Sequence, residues 1–406
     1  MKLRVAMVGA CPYPAPQGSQ ILLRDTALAL QSRGHEVHLL VYGYGAELPA
    51  PPRFSLEGVR GNLSFSQKKG SPGSSGSSGS PGSPEIPIHR CARIPGVRKT
   101  AAGPSCAKPF LDLAMVAALR RVIREQGIDV VHAHNYEGLV IALAARKHPI
   151  VYHAHNAMAD ELPYYFGASQ TRSAGSLFRF TRRFGAWLDK RFPRRADHVI
   201  APHQRLADYL IQCGCDNARI SVIPPAVDAA LFDANPILDE PPPVLYAGNL
   251  DAYQNLDLLL QTMTRVRHTE PDARLIIATH TKASVPHAEV VPTPDFDSLR
   301  RVLAMDAVFV CPRVSWSGYP IKLLNAMAAG KAVVVCRSAA HPITHNQTGL
   351  IVPDNDETAF AEAILRLMKN PILREQLGRN ARDTAKTHHN PTRIACQIEA
   401  LYEQLV

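Results

Sequence analysis

The sequence predicts an α/β protein made of two doubly wound parallel-sheet domains, on three observations. Short apolar runs alternate with longer stretches of helical periodicity along the chain, the pattern of β-α units wound around parallel sheets. At 406 residues the chain is long for a single domain. The run Pro224–Pro243 is rich in proline and interrupts the alternation, so residues 226–243 read as a linker between domain 1–225 and domain 244–387.

The elements follow in order. Leu3–Val8 is the first strand, and after the turn at Pro12–Gly18, Ser19 can cap a helix that runs to Arg33 and stops at Gly34. Glu36–Val41 is a strand, Leu113–Gln126 a helix, Asp129–Ala133 a strand, Glu137–Arg146 a helix and Ile150–Ala154 a strand. Strand His198–Ala201, helix Gln204–Gln212 and strand Ile220–Ile223 close the first series. The second opens with strand Val244–Ala247 and continues with helix Leu256–Arg267, strand Arg274–Ala278, helix Phe296–Ala304 and strand Ala307–Val310. Gly349–Val352 is a further strand, followed by helices Thr358–Lys369, Ile372–Lys386 and Pro391–Leu405.

Hydrophobic residues make up 46% of the chain, enough for two large cores, and aromatics at 6% and charges at 20% suit a globular enzyme. The net charge of +10 favours anionic partners: nucleotide-sugars, phosphorylated lipids or a negative membrane face. No nucleic-acid motif accompanies that charge, so nucleic acid is not an expected partner. The first apolar run is broken by Gly9 and Pro12, too soon for a signal peptide, and no stretch approaches the ~18 apolar residues that span a bilayer. The eight cysteines are scattered, with no disulfide or zinc-ligand spacing. A cytoplasmic protein is expected, compatible with peripheral contact at the inner membrane face.

Lys68–Pro84 is a Gly/Ser/Pro repeat that cannot bury apolar area and reads as a flexible loop inside the first domain. In Ser176–Arg195, Leu177, Phe180, Phe184, Trp187, Leu188 and Phe192 fall at helical spacing among seven Arg or Lys. That pattern suits a membrane-surface helix, although an aromatic stripe is more often core, and core is the expectation taken here. Arg98, Lys99 and Lys108, with Phe110 nearby, are candidates for contact with a phosphorylated or lipid-linked acceptor.

Val308–Val335, VFVCPRVSWSGYPIKLLNAMAAGKAVVV, carries the most chemistry. It reads as strand, Gly/Pro turn, helix opening at Ile321, stop at Gly330 and second strand. A turn feeding a helix N-terminus gathers free backbone N–H groups at the positive end of the helix dipole, a place for a diphosphate. The segment resembles the donor-site signature of glycosyltransferase family 4. Other elements appear in that family's order: Gly34-His35-Glu36-Val37, Asp129-Val130-Val131-His132-Ala133-His134, Val151-Tyr152-His153-Ala154-His155-Asn156, Val222-Ile223-Pro224-Pro225-Ala226-Val227-Asp228, Tyr246-Ala247-Gly248-Asn249-Leu250 and Thr348-Gly349-Leu350-Ile351-Val352-Pro353. The resemblance covers nearly the whole chain except the region around residues 45–95.

The resemblance implies the GT-B fold, two Rossmann-like domains facing across a cleft, with helix 388–406 crossing back to complete the first. It implies a retaining, metal-independent transferase that moves a sugar from a nucleoside-diphosphate donor to a hydroxyl of a glycan or lipid-linked glycan. Gly18 takes the position where the family brings backbone close to the donor's distal phosphate, and His155 that of the family histidine facing the donor sugar. His155 would hydrogen-bond a sugar hydroxyl and assist departure of the acceptor proton; His134, also at a strand end, is the next candidate. Gly318, Tyr319, Pro320 and Ile321 form the turn and helix start against the donor. No cofactor and no metal are expected, since no Asp-x-Asp of the kind that grips a metal–diphosphate stands out.

The chain departs from the family pattern at four positions. Asn249 and Gln254 stand where the family has an Arg and a Lys aimed at the diphosphate, a loss on the order of 2–5 kcal/mol unless another group substitutes. Two candidates are Lys322, a cation in the first turn of a helix where only a bound anion makes it favourable, and Arg313, just past the preceding strand. Ser317 and Asn325 replace the two signature Glu residues. Asn325 keeps a carbonyl acceptor for ribose hydroxyls, Ser317 is short and neutral, and a one-residue register slip would put Trp316 in its place. Loss of these groups also fits a second reading, a non-catalytic sugar-nucleotide-binding or scaffold protein in a polysaccharide-assembly system.

Overall fold

The structure, a computed structural model, describes residues 2–13, 18–44, 86–94, 108–145, 148–166, 175–233, 241–280 and 283–406. The expected loop 68–84 and residues Arg98 and Lys99 lie outside them.

The first unit contains β1 (Arg4–Gly9), α1 (Gly18–Ser32), β2 (Glu36–Val41), β3 (Ile88–Arg90), α2 (Lys108–Gln126), β4 (Val130–His134), α3 (Asn135–Ala145), β5 (Ile150–His153), α4 (Met158–Tyr165), α5 (Gly175–Arg191), β6 (His198–Ala201), α6 (Gln204–Gln212) and β7 (Ile220–Val222). Its seven strands pair in parallel in the order β3-β2-β1-β4-β5-β6-β7. The second contains β8 (Val244–Ala247), α7 (Leu256–Thr269), β9 (Leu275–Thr279), β10 (Glu289–Pro292), α8 (Phe296–Leu303), β11 (Val308–Cys311), α9 (Ile321–Ala328), β12 (Ala332–Cys336), β13 (Leu350–Val352), α10 (Glu357–Lys369) and α11 (Pro371–His388). Its six strands are also parallel, in the order β10-β9-β8-β11-β12-β13. In both sheets the order reverses beside the first strand, the switch point at which open α/β sheets leave a crevice at the strand C-termini.

Central strands are buried on both faces, which is why they read as unbroken apolar runs. The edge strands β3 and β10 were not legible, being three or four residues long and largely half-buried. Helix α4 was missed because it has no apolar stripe and contains Pro163.

The last helix, α12 (Pro391–Glu403), returns to the first sheet. Ile394, Ile398, Leu401 and Tyr402 join Val5, Met7, Leu23 and Leu30 in one core, each such side chain contributing about 1.5–3 kcal/mol by burial. Tyr402 bonds His132, and Glu399 pairs with Arg33, just past α1, at 2.8 Å.

Helix α5 overturns the core expectation for its aromatic stripe. Leu177, Phe180, Phe184 and Trp187 are 49%, 67%, 46% and 53% exposed, and the buried face is Thr181, Gly185 and Asp189. A Cβ on Gly185 would overlap the Met158 backbone, so only glycine lets α5 lie this close to the start of α4. Asp189 then accepts hydrogen bonds from the Met158 and Ala159 N–H groups, both at 2.9 Å, capping α4 from outside. Docking α4 decided which face went inward.

Candidate active site

A cleft of about 490 Å³ lies between the two sheets at their C-terminal ends. Residues just past β1, β4 and β5 line one wall and residues past β8, β9 and β11 the other. Gly18, His155, Asn249, Gln254, Arg313, Gly318, Tyr319, Pro320, Ile321, Lys322 and Asn325 all border it.

Ser317 does not. It is fully buried, and its N–H and Oγ both donate to Asp160 Oδ2, at 3.0 and 2.7 Å. The same oxygen accepts from Ser315 Oγ at 2.8 Å and Trp316 N–H at 3.1 Å, so one carboxylate from α4 gathers three consecutive residues of the opposite domain. His203, which caps α6 by accepting the Leu206 N–H at Nδ1, must carry its proton on Nε2 and donate it to the Ser317 carbonyl at 3.0 Å. Trp316 packs edge-on to Tyr209 and under the Arg205 guanidinium. Ser317 is therefore a fastening point between the domains.

Lys322 sits in the first turn of α9, whose N-terminus at Pro320 has no side-chain cap. Its ammonium donates to Tyr246 OH at 2.8 Å and to Gln254 Oε1, and lies 4.2 Å from the Tyr246 ring centre. Gln254 Nε2 donates to Asn249 Oδ1 at 2.6 Å, and Asn249 Nδ2 to Asp251 at 2.6 Å and Tyr253 OH at 2.9 Å. Burial brings the Lys322 pKa down to about 7, with Arg313 pushing the same way and Cys311 and Asp251 opposing. The lysine is thus tied through Gln254 into the same network as Asn249.

Arg313 lies flat over Gly318, where a Cβ would overlap its guanidinium. It donates to Ser315 Oγ at 3.0 Å and stacks over Tyr253, and its Nε is buried without a partner. Gly18 opens α1 and faces Ile321 across the cleft. A Cβ there would meet that side chain at an ordinary 3.7 Å, so the protein itself does not demand glycine at this position.

His155 ends a ladder of imidazoles. Its Nε2 pairs with His134 Nδ1 at 3.1 Å, and His132 joins His153 at 3.1 Å and Tyr402 OH behind it. Burial depresses all four pKa values, that of His155 to about 3, so the rings are neutral. A base that weak is far from the pKa that favours proton transfer near neutrality, so in this state His155 is a hydrogen-bonding group. The nitrogens of His132, His134 and His153 come within 4.8 Å of one another, a spacing a metal would need. Their rings stack with interplanar angles of 21–35°. Nε2 of His134 and of His153 are buried without partners.

Two Asp-x-Asp strings serve as structural caps. Asp295-Phe296-Asp297 caps α8 through Ser298, and Asp354-Asn355-Asp356 holds Ser338 and caps α10. Neither borders the cleft. Lys108 borders it and is paired with Glu137.

Residues 16–231 match the family model described as Glycosyltransferase Family 4, and residues 241–370 match Glycosyl transferases group 1. The chain belongs to glycosyltransferase family 4. It is 24% identical to the phosphatidyl-myo-inositol mannosyltransferase of Mycolicibacterium smegmatis over 99% of this chain and 94% of that one. It is also 24% identical to the D-inositol 3-phosphate glycosyltransferase of Kribbella flavida, over 72% and 78%. Among solved structures, sucrose-phosphate synthase from Thermosynechococcus elongatus superposes with a TM-score of 0.74 at 18% identity, covering 100% and 99% of the two chains. Anabaena HepE in complex with UDP-glucose gives 0.67 at 15% identity, covering 99% and 100%. The fold is GT-B, as the two parallel sheets show, and the activity is that of a glycosyltransferase. No helix among the described residues is long and apolar enough to cross a membrane.

Sequence reasoning missed Asp160, Glu161, His203 and Tyr253. The acidic pair Asp160-Glu161, a few residues beyond His155, was the available signal.

Proposed function

We propose that this glycosyltransferase takes its sugar from a nucleoside-diphosphate donor held on the second domain and passes it, with retention, to a hydroxyl of a glycan or lipid-linked acceptor on the first. The observation that carries this reading is Lys322: a buried ammonium at the uncapped start of α9, joined to Gln254 where the family's Lys is missing. Helix terminus, Lys322 and Arg313 together answer the diphosphate's charge without a divalent metal. Asn325, buried at the cleft wall, accepts from the ribose, and His155 hydrogen-bonds the sugar. The departing phosphate oxygen takes the acceptor proton during front-face attack, which suits a histidine held neutral. The UDP-glucose bound by HepE and the phosphatidyl-inositol named for the mycobacterial relative support the two substrate classes.

Helix α5 supports contact with an anionic membrane surface, at the inner face of the cytoplasmic membrane. Its bare aromatic stripe is flanked by exposed Arg179, Arg182, Arg183, Lys190 and Arg191, and Phe184 and Leu188 reach the cleft. A thermal-shift panel of nucleotide-sugars, repeated with EDTA, followed by mass spectrometry of products, tests the reading. A stabilising donor that is hydrolysed or transferred regardless of EDTA is expected; no stabilisation by any donor rejects it.

A second reading, a non-catalytic binding protein, is favoured by one observation. The Lys322–Gln254–Asn249–Asp251 network is already closed upon itself. Donor binding without turnover would select it.

A further inference from the structure

With Ser317 buried, the signature segment offers no carboxylate to the transferred sugar. Two carboxylates border the cleft, Glu137 and Glu161. Glu137 is paired with Lys108. Glu161 makes no ion pair among the described residues. Its Oε1 accepts a hydrogen bond from Tyr165 OH one helical turn on. Arg313 stands near enough for its charge to act on Glu161, yet the two do not touch, and Arg313 Nε has nothing to donate to. Glu161 and Arg313 thus both border the cleft without pairing with each other.

The placement of Glu161 is fixed on every side. Asp189 holds the first N–H groups of α4, Tyr165 fixes one carboxylate oxygen, and the adjacent Asp160 is locked into residues 315–317 of the second domain. Neighbouring residues on a helix point about a quarter-turn apart, so with Asp160 committed to the donor loop, Glu161 turns into the cleft.

We infer that Glu161 is the sugar-facing carboxylate of this enzyme, supplied from the first domain, and that it accepts hydrogen bonds from pyranose hydroxyls of the donor while Arg313 donates from the opposite side. The proposal rests on the nucleotide-sugar reading above. A carboxylate accepting from a sugar hydroxyl is charge-assisted and among the stronger neutral-ligand contacts. Because it travels with the Asp160 fastening, it meets the sugar only when the domains are closed, so recognition of the sugar and closure become one event.

The test uses the full-length protein, UDP against UDP-glucose, and GDP against GDP-mannose, by calorimetry. The measured quantity is the gain in affinity that the sugar adds to the bare nucleotide. Glu161→Gln and Glu161→Ala are expected to reduce that gain about tenfold while leaving bare-nucleotide affinity within about twofold of wild type. An unchanged gain in both variants overturns the inference and leaves the donor reading standing. Absence of binding by the wild type to all four ligands overturns both. A measurement needing no variant guards against misfolding: burial raises the Glu161 pKa to about 6, so the wild-type sugar gain should shrink as pH falls below about 6. A gain that is flat through that range overturns the inference as well.

Discussion

The two walls of the cleft solve opposite electrostatic problems. The second-domain wall carries two cations, Lys322 and Arg313, with Lys322 bonded to the amide of Gln254. The first-domain wall presents the neutral imidazole of His155 and the carboxylates of Glu137 and Glu161, while Asp160, off the cleft, reaches across to hold the other wall in shape. In the donor reading proposed above, the wall that meets the diphosphate carries the cations and the opposite wall holds it in shape.

Breaking the second wall should have the largest effect. Lys322→Ala is expected to weaken UDP or GDP binding by at least about thirtyfold, the low end of the roughly 2–5 kcal/mol range for losing a buried charge partner. Unchanged affinity in calorimetry would mean that the ammonium is only a strut for Tyr246 and Gln254.

Cutting the tie between the walls comes next. Asp160→Ala leaves two backbone N–H groups and two hydroxyls without their acceptor. Turnover should fall about tenfold to a hundredfold, and small-angle scattering should show a more open average shape. An equally compact protein with normal turnover would show the fastening to be incidental.

On the first wall, His155→Ala should lower turnover about tenfold with little change in nucleotide affinity, because a neutral ring contributes a hydrogen bond and not a proton. A loss beyond about a thousandfold would show that ligand binding raises its pKa enough for acid–base work.

The pH response sharpens the contrast. The free lysine titrates at about 7 and the bound anion favours its protonated form, so binding takes up a proton, and UDP affinity should decline as pH climbs through about 7. Lys322→Met should flatten that slope.

The smallest effect on stability belongs to α5. Phe180→Ala and Trp187→Ala remove exposed rings and should cost no more than about 0.5 kcal/mol in thermal unfolding, while reducing co-sedimentation with phosphatidylglycerol vesicles. A large drop in melting temperature would mean that the stripe is covered after all.

The sequence disclosed what local physics controls. Strand 36–41, helix 204–212, strand 244–247 and the start of α9 at Ile321 lie where apolar period, Gly stops and Pro turns put them. Three things were hidden, each for a physical reason. The inward face of α5 depends on Gly185 and Asp189 meeting α4, contacts that no hydrophobic pattern encodes. The burial of Ser317 depends on Asp160, 157 residues earlier in the chain. The neutrality of His155 depends on burial among strands that pair far apart in sequence, with His132 adding to it.

One further consequence comes from α12. Its Ile394, Ile398 and Tyr402 seal the apolar side of β1 and α1, yet the ribosome makes them after every strand of the other lobe. The amino-terminal lobe therefore waits, partly uncovered, until its neighbour has been synthesised. The protein cannot be split at the proline-rich linker into two self-sufficient halves: a fragment ending there lacks the lid of its own interior, and only a split that restores 391–403 in trans would give it a closed core.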